Sequence, residues 1–424
     1  MTPSARLQAV IDILQALDTT GQPADRFLRD WARARRYAGS KDRAAVAERL
    51  YAILRHRSSL AWQMGCREAR ALVIASLARE GLSPESIAQL FDGSAYGPQA
   101  LSDAERLAIN APRGEPPSHV RGEFPPFLEP ELSRAFGASM LDEMLAMQAR
   151  APIDLRVNSL RAARDTMLEK LRGEGFAVDR TPYAPYGLRL PPGTGSAKLS
   201  ASSLFIQGAF EIQDEAAQLA SLFCGVAPGM RVLDFAAGAG GKSLALAAAM
   251  KNKGEIVAHD ITAARLKALS PRTLRAGASI VHPTTERPSG VFDVVLIDSP
   301  CSGSGTWRRQ PELRWRITSE SLSTLHALQD ELLAQGSASV KPGGRLVYAT
   351  CSILPSENED RVAAFLAKQC DFRLLEAVDI WRESIGSPPP PGTDRFFKAS
   401  PRTTGTDGFF AAFLERWTSR GATG

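Results

Sequence analysis

The chain has 424 residues, of which 44% are hydrophobic and 23% charged, with a formal net charge of +5. That length exceeds what one core of ordinary size fills, so two or three globular domains are expected, and a disordered or fibrous protein is excluded. No apolar run nears the roughly 20 residues that span a bilayer, and no signal-peptide stretch precedes the first amphipathic pattern; a cytoplasmic protein with no membrane partner is expected.

The first third reads as helical. Leu7, Val10, Ile11, Leu14 and Leu17 recur at helical spacing, as do Val46, Leu50, Ile53 and Leu54. Another helix is expected around Ala69 to Arg79, closed by Gly81, with Ser83-Pro84-Glu85 starting the next. The outward residues here include Arg26, Arg29, Arg33, Arg35, Arg36, Lys41, Arg43, Arg49, Arg55 and Arg57. Either a plain solvated helix face or contact with an RNA backbone accounts for them. Proline, glycine and charge dominate between Ala111 and Pro130, which marks a linker or long loop.

From Ile153 the pattern changes. Ile153 to Val157 reads as a short strand, and Ala162 to Arg172 as a helix closed by Gly173 or Gly175. Phe176-Ala177-Val178 and Gly187 to Leu190 suggest further strands, making a small α+β subdomain. Tyr183 and Tyr186 sit beside Pro182 and Pro185, where turn packing and base stacking are both open to them. From about Glu211 strands and helices alternate, as in a mainly parallel sheet. Expected strands are Arg231 to Asp234, Glu255 to Ala258, Ser279 to Val281, Phe292 to Ile297, Arg345 to Ala349, Phe372 to Leu375 and Gly408 to Leu414. Helices fit at Leu244 to Met250, Ala263 to Leu269 and Leu322 to Ser337. The expected segments are thus 1–145, helical; 146–212, α+β; and 213–424, a Rossmann-like α/β domain.

Val232 to Ser243 follows a strand and opens a helix. Its Gly238-Ala239-Gly240-Gly241 turn lets the backbone approach a ligand, and the helix start supplies free N–H groups. The turn lacks the last glycine of a dinucleotide fingerprint and the first glycine of a phosphate loop. Asp260, closing the next strand, is placed to accept from both ribose hydroxyls. A ribose without phosphate fits S-adenosyl-L-methionine. Candidate cofactor-binding residues are Asp234, Ala236, Ala237, Gly238, Ala239, Gly240, Gly241, Lys242, Asp260 and Arg265, with Asp298 and Pro300 across the crevice.

Two cysteines end strand-like runs. Cys301 lies in Asp298-Ser299-Pro300-Cys301-Ser302-Gly303, and Cys351 in Tyr348-Ala349-Thr350-Cys351-Ser352. Ligands bind outside the carboxyl ends of such strands, so both thiols are expected at one crevice. Cys66, Cys224 and Cys370 read as packing residues, and neither the five cysteines nor the five histidines show metal-ligand spacing, so no metal is expected.

The first cysteine segment resembles the Asp-x-Pro-Cys-Ser-Gly signature of the Sun-type RNA cytosine-C5 methyltransferases. The second, with Glu357-Asn358-Glu359 downstream, is similar to that family's second cysteine motif. Val232 to Ser243, Arg156-Val157-Asn158, Gln213 to Ala217 and Asp407 to Phe410 match as well. The basic helical region resembles the NusB-like module of the bacterial 16S ribosomal RNA members, and 146–212 their RRM-like insertion.

The resemblance implies that Cys351 adds to C6 of a cytosine, making C5 able to take the methyl group. It implies that Asp298 bonds the N3/N4 edge and that Cys301 serves release of the product. Lys242 is implied to support the crevice electrostatically, because a cation there favours a thiolate. The implied partner is RNA, with ribosomal RNA ahead of transfer RNA, and a monomer is expected. The alternatives are a transfer RNA methyltransferase and a non-catalytic RNA-binding assembly factor that keeps the fold. Two departures from the family pattern stand out. Ala239 replaces the proline of the Ala-Pro-Gly-Gly-Lys turn, a change expected to loosen the turn more than abolish binding, and no aspartate follows the third strand in His282 to Glu286.

Overall fold

The computed structural model describes residues 1–385 and 388–417. Residues 418–424 of the expected third segment therefore lie outside the described residues. The chain divides into two compact units. One is Met1–Ala149 with Trp307–Ile317, and the other is Arg150–Thr306 with the described part of Thr318–Gly424.

The first unit is helical, beginning with helices Pro3–Thr20, Ala24–Ala34, Ser40–Arg55, Arg57–Met64 and Ala69–Arg79. Sequence chemistry sets the ends of the first: the Thr2 hydroxyl accepts from the Ala5 N–H at 3.1 Å, Pro3 opens the helix, and Gly21 stops it at φ +61°. Leu7, Val10, Ile11, Leu14, Leu17, Val46, Leu50, Ile53 and Leu54 all enter its core. Several expected surface arginines pair within the unit, Arg57 with Asp18 and Arg49 with Glu80. Arg26, Arg36 and Lys41 are exposed.

Two expectations are corrected here. The stretch from Ala111 to Pro130 is no linker: Val120, Phe124 and Leu128 are buried, and the Glu123 carboxylate accepts the Ser58 and Ser59 N–H groups at 2.7 and 3.0 Å, capping helix Arg57–Met64. Its polar composition hid three apolar anchors. The second is the loop of Arg308, Arg309, Arg314 and Trp315, whose sequence allows either phosphate contact at the crevice rim or packing within the loop; Arg314 and Trp315 pack. Arg314 is fully buried, donating to the Glu123 carbonyl at 2.9 Å and the Met147 carbonyl at 3.4 Å beneath the Trp307 ring; burial pulls its pKa down to about 10. Arg308 is buried and Arg309 half-buried, while the Trp315 indole donates to the Leu54 carbonyl at 3.2 Å.

The second unit holds two sheets. Strands β1 (Ile153–Val157), β2 (Asp179–Arg180), β3 (Gly187–Leu190) and β4 (Phe210–Ile212) form an antiparallel sheet in the order β2-β3-β1-β4, backed by helix Arg164–Gly173. The larger sheet contains β5 (Arg231–Asp234), β6 (Glu255–His259), β7 (Val281–Thr284), β8 (Phe292–Asp298), β9 (Val340–Thr350), β10 (Phe372–Leu375), β11 (Phe397–Ala399) and β12 (Phe409–Arg416). Its order is β10-β12-β9-β8-β5-β6-β7, with β11 on β12; β5 to β9 run parallel and β10 to β12 antiparallel to their neighbours.

Side chains alternate between two cores, as the period of a strand demands. Val294, Leu296, Val347 and Ala349 face one core, and Val295, Ile297, Leu346 and Tyr348 the other. Both faces being covered explains the nearly unbroken apolar runs. The third parallel strand falls at Val281–Thr284, later than expected, and Pro283 is tolerated because β7 is an edge strand. Strands β2, β4 and β11 were not expected, being short and without clear alternation; the expected strand at Phe176-Ala177-Val178 is absent, and pairing begins only at Asp179. No described helix is long and apolar enough to cross a membrane.

Replacing Arg314 strands two buried carbonyls, so Arg314→Leu is expected to cost about 2–4 kcal/mol in chemical denaturation. The salt dependence of RNA affinity should stay unchanged, whereas loss of a phosphate contact would flatten it.

Candidate active site

The strand order reverses at β5, which has β6 on one side and β8 on the other, and such a switch point opens a crevice at the carboxyl ends. Beyond β5 the chain turns through Ala236 to Gly240 into helix Gly241–Ala249. Gly240 has φ +78°, and a Cβ there would meet Leu269 Cδ1 at 2.0 Å, so only glycine fits. The turn is tied by the Gly240 N–H to the Ala237 carbonyl at 2.8 Å and the Ala237 N–H to the His259 carbonyl at 2.9 Å.

Asp260 follows β6. Its two oxygens accept the Gly238 N–H at 3.1 Å and the Thr262 N–H at 2.8 Å, fixing the carboxylate beside the turn. Arg265 is largely exposed and reaches Asp260 only at 3.8 Å. Asp234 is fully buried. One oxygen accepts from the Ser243 hydroxyl at 2.6 Å; the other, Oδ1, has no partner. Burial is the main reason its pKa is pushed up to about 6.

Lys242 and Asp298 form a 2.5 Å ion pair across the crevice. Burial works against the ammonium, but Asp298, Asp234 and Cys351 together outweigh it and hold the Lys242 pKa above its ordinary value. The ammonium also lies over the Phe409 ring at 5.3 Å. The Asp298 side chain keeps 35% of its surface exposed, leaving room for a ligand.

The two cysteines meet. Register Ile297↔Tyr348 and Asp298↔Ala349 aligns the ends of β8 and β9, and the sulfurs of Cys301 and Cys351 stand 3.4 Å apart as free thiols. The hydrogen bond with Cys351, then burial, raises the Cys301 pKa well above the usual thiol range. Backbone bonds stitch the loops: the Gly305 N–H donates to the Cys351 carbonyl at 2.9 Å and the Gly408 N–H to the Gly305 carbonyl at 2.8 Å. Pro300 is half-buried, its carbonyl accepting from Gln329 at 3.0 Å.

Cys301, Cys351, Asp298 and Lys242 are thus brought together, with Asp234 and the glycine turn alongside. Arg265 stands apart, toward solvent. Of the remaining cysteines Cys224 is buried, as expected, and Cys66 half-buried. Cys370 is exposed and therefore does not pack. The signal for Ser243 was hidden, since a serine after a lysine carries no pattern of its own.

A family model described as 16S rRNA methyltransferase RsmB/F matches residues 225–415, and one for the RsmF/B-like ferredoxin-like domain matches 124–194. Ribosomal RNA small subunit methyltransferase B of Pseudomonas syringae pv. tomato is 33% identical over 327 residues, covering 74% of this chain and 70% of that protein. The chain belongs to the RsmB/F family of rRNA methyltransferases. The enzyme of the same name from Erwinia tasmaniensis is 28% identical over 411 residues, 90% of this chain and 92% of the other. The crystal structure of PH0851 superimposes with a TM-score of 0.75 at 26% identity, covering 98% of this chain and 99% of that one. Fold and family agree: a helical N-terminal region, a ferredoxin-like domain and a Rossmann-like methyltransferase fold, in an enzyme that methylates RNA.

In this family member a side chain at position 305 has no room, because a Cβ would lie 2.0 Å from the Gly408 carbonyl oxygen and 2.8 Å from that of Cys351. Gly305→Ala is expected to destabilise by about 1–3 kcal/mol and to abolish methyl transfer, checked by denaturation and by incorporation of labelled methyl into RNA.

Proposed function

We propose that this protein transfers a methyl group from S-adenosyl-L-methionine to C5 of a cytosine in RNA, with 16S rRNA the favoured substrate, through a covalent bond between Cys351 and C6. The observation that carries the reading is the pair of free sulfurs 3.4 Å apart at the end of β8 and β9, beside the Lys242–Asp298 ion pair. An ordinary methyl transfer to a nucleophilic atom needs no thiol. Cytosine C5 does, because it is a poor nucleophile until C6 is saturated.

The residues present fit the cofactor. The unpartnered Asp234 Oδ1 is a buried acceptor suited to an ammonium group, and each Asp260 oxygen retains a lone pair for a ribose hydroxyl. Asp234, Ala236, Ala237, Gly238, Ala239, Gly240, Gly241 and Asp260 would hold it, with Lys242, Arg265, Asp298 and Pro300 around them. When bound, it supplies an electrophilic methyl group on a sulfonium sulfur.

The target base leaves its stack, at a cost of roughly a few kcal/mol, to bring its ring to the crevice. The Cys351 thiolate then forms a bond to C6, and the electron pair it displaces makes C5 nucleophilic. Asp298, oriented by Lys242, accepts from the N3/N4 edge and holds the ring, and the Lys242 ammonium beside it offsets the negative charge that develops there. After methylation the C5 proton passes to solvent, the electron pair of that C–H bond restores the C5–C6 double bond, and Cys351 departs with the electrons of the C6–S bond. Cys301, within hydrogen-bond reach of that sulfur, serves this release. The boundaries at 145/146 and 212/213, cytoplasmic action and a monomeric state belong to the same proposal, as does RNA-backbone contact by the exposed Arg26, Arg36 and Lys41.

Labelled methyl transfer to RNA from a strain lacking the protein tests the reading. Wild type should label 16S rRNA, Cys351→Ala should not, and Cys301→Ala should accumulate a protein–RNA adduct on a denaturing gel; label in transfer RNA alone would move the substrate assignment. Asp234 adds a pH signature. Its carboxylate is raised to about 6, so its negative charge is lost as pH falls through that value. Calorimetric affinity for S-adenosyl-L-methionine should therefore drop below about pH 6, while Asp234→Asn should bind weakly with no such step.

A further inference from the structure

Two adjacent thiols at one crevice raise the question of what keeps both from competing for the same carbon. The surroundings differ on the two sides. Glu357 is fully buried beneath the cysteine loops, and its carboxylate accepts from four donors. These are the Ser302 N–H at 2.8 Å, the Ser302 hydroxyl at 2.5 Å, the Ser352 hydroxyl at 2.5 Å and the Gln329 amide at 3.1 Å. Ser302 follows Cys301 and Ser352 follows Cys351, so one side chain grips both loops one residue beyond each sulfur. The carbonyl of Glu357 accepts from Tyr348 at 2.7 Å, and Asn358 accepts from Thr350 at 2.6 Å and donates to the Ser352 carbonyl at 3.0 Å. That frame fixes the clamp to β9.

We propose that Glu357 is the positioning residue of this site: it locks the two cysteine loops at one sulfur–sulfur separation and keeps Cys301 in its thiol form, so that Cys351 alone attacks. The assignment rests on the covalent reading given above. The groups that bear on the Cys301 sulfur are Cys351, Glu357 and Tyr348, with the Gly303 backbone the one opposing influence. The hydrogen bond that the Cys301 S–H donates to the Cys351 sulfur, and burial, come first in holding the proton on Cys301, and both depend on the loop geometry that Glu357 sets; its charge adds to them directly. The cation of the site, Lys242, has Cys351 among the groups that favour its charge. A carboxylate that bears on the Cys301 sulfur, with the loops fixed around it, thus separates the roles of two chemically identical groups.

Iodoacetamide alkylation of the full-length protein from pH 6 to 10, mapped by peptide mass spectrometry, tests this without RNA or cofactor. In the wild type Cys301 should become reactive only at higher pH than Cys351; equal profiles would overturn the proposal whether or not any variant folds. Glu357→Gln, close in shape and uncharged, should speed Cys301 alkylation at pH 8 by about threefold or more, with an unaltered melting temperature as the check on folding. It should also lower kcat for methyl transfer by about tenfold with KM for RNA little changed, and Glu357→Asp should restore part of kcat and slow Cys301 alkylation again. A Gln variant with wild-type alkylation would sink the idea. Because alkylation reads the thiols directly, a wild type that transfers no methyl group would overturn the covalent reading and with it the attack by Cys351, whereas equal alkylation profiles would overturn the Glu357 clamp alone.

Discussion

The site depends on one register. Strands β8 and β9 are separated by a long helix in the chain, yet Asp298 pairs with Ala349, so each strand ends at the same level. A slip of one residue would send every side chain of one strand to the opposite face, exchanging the two cores and parting the thiols. The register cannot slip cheaply, because Val294, Leu296, Val347 and Ala349 are committed to one core and Val295, Ile297, Leu346 and Tyr348 to the other. Packing of these eight side chains therefore brings the two cysteine loops level. Strand β12 reinforces it by pairing with β9 along its length and delivering Gly408 to Gly305.

On that scaffold the charges are arranged by depth. Asp234 is the deepest and is held near its protonation threshold by burial; Lys242 stands between it and Asp298, which alone of the three opens to solvent. An ion pair with one partner half exposed is reshaped by a ligand more easily than a fully enclosed one, since the enclosed pair leaves uncompensated charge when broken. The same logic separates Lys242 from Arg314. Both are cations largely shielded from solvent, but Arg314 is spent on two carbonyls and an aromatic ring, whereas Lys242 faces a carboxylate that keeps free surface.

Much of this was legible in the sequence, for identifiable reasons. The parallel strands announce themselves as apolar runs because both faces are covered, and the glycine turn and the two cysteine motifs lie in contiguous segments where neighbours in sequence are neighbours in space. What escaped was built from distant pieces. The role of Arg314 depends on carbonyls of Glu123 and Met147, and an arginine in a loop gives no sign of which carbonyls it will meet. The stretch from Ala111 to Pro130 looked like a linker because prolines and charges dominate it, and Pro125 and Pro126 interrupt the evenly spaced Val120, Phe124 and Leu128 before they can mark a helix. Glu357 stood in a recognised motif, but its grip on Ser302 needs the register of β8 against β9 to be known first.

The glycine turn shows how a departure from a family pattern can be absorbed. A proline at position 239 would restrict the unbound turn and lower the entropy lost on ordering it, an advantage that Ala239 forgoes. Here the ordering comes from outside the turn. The Arg272 guanidinium donates to the Ala239 carbonyl at 2.5 Å and to Glu211 at 2.9 Å, while Asp260 holds the Gly238 N–H. Glu211 is itself buried on β4, so the turn is braced through Arg272 to the small sheet of the ferredoxin-like domain. Rigidity that a ring would have built into the backbone is supplied by a charge-assisted bond, and the shape of the turn now depends on how the two sheets of this unit are joined.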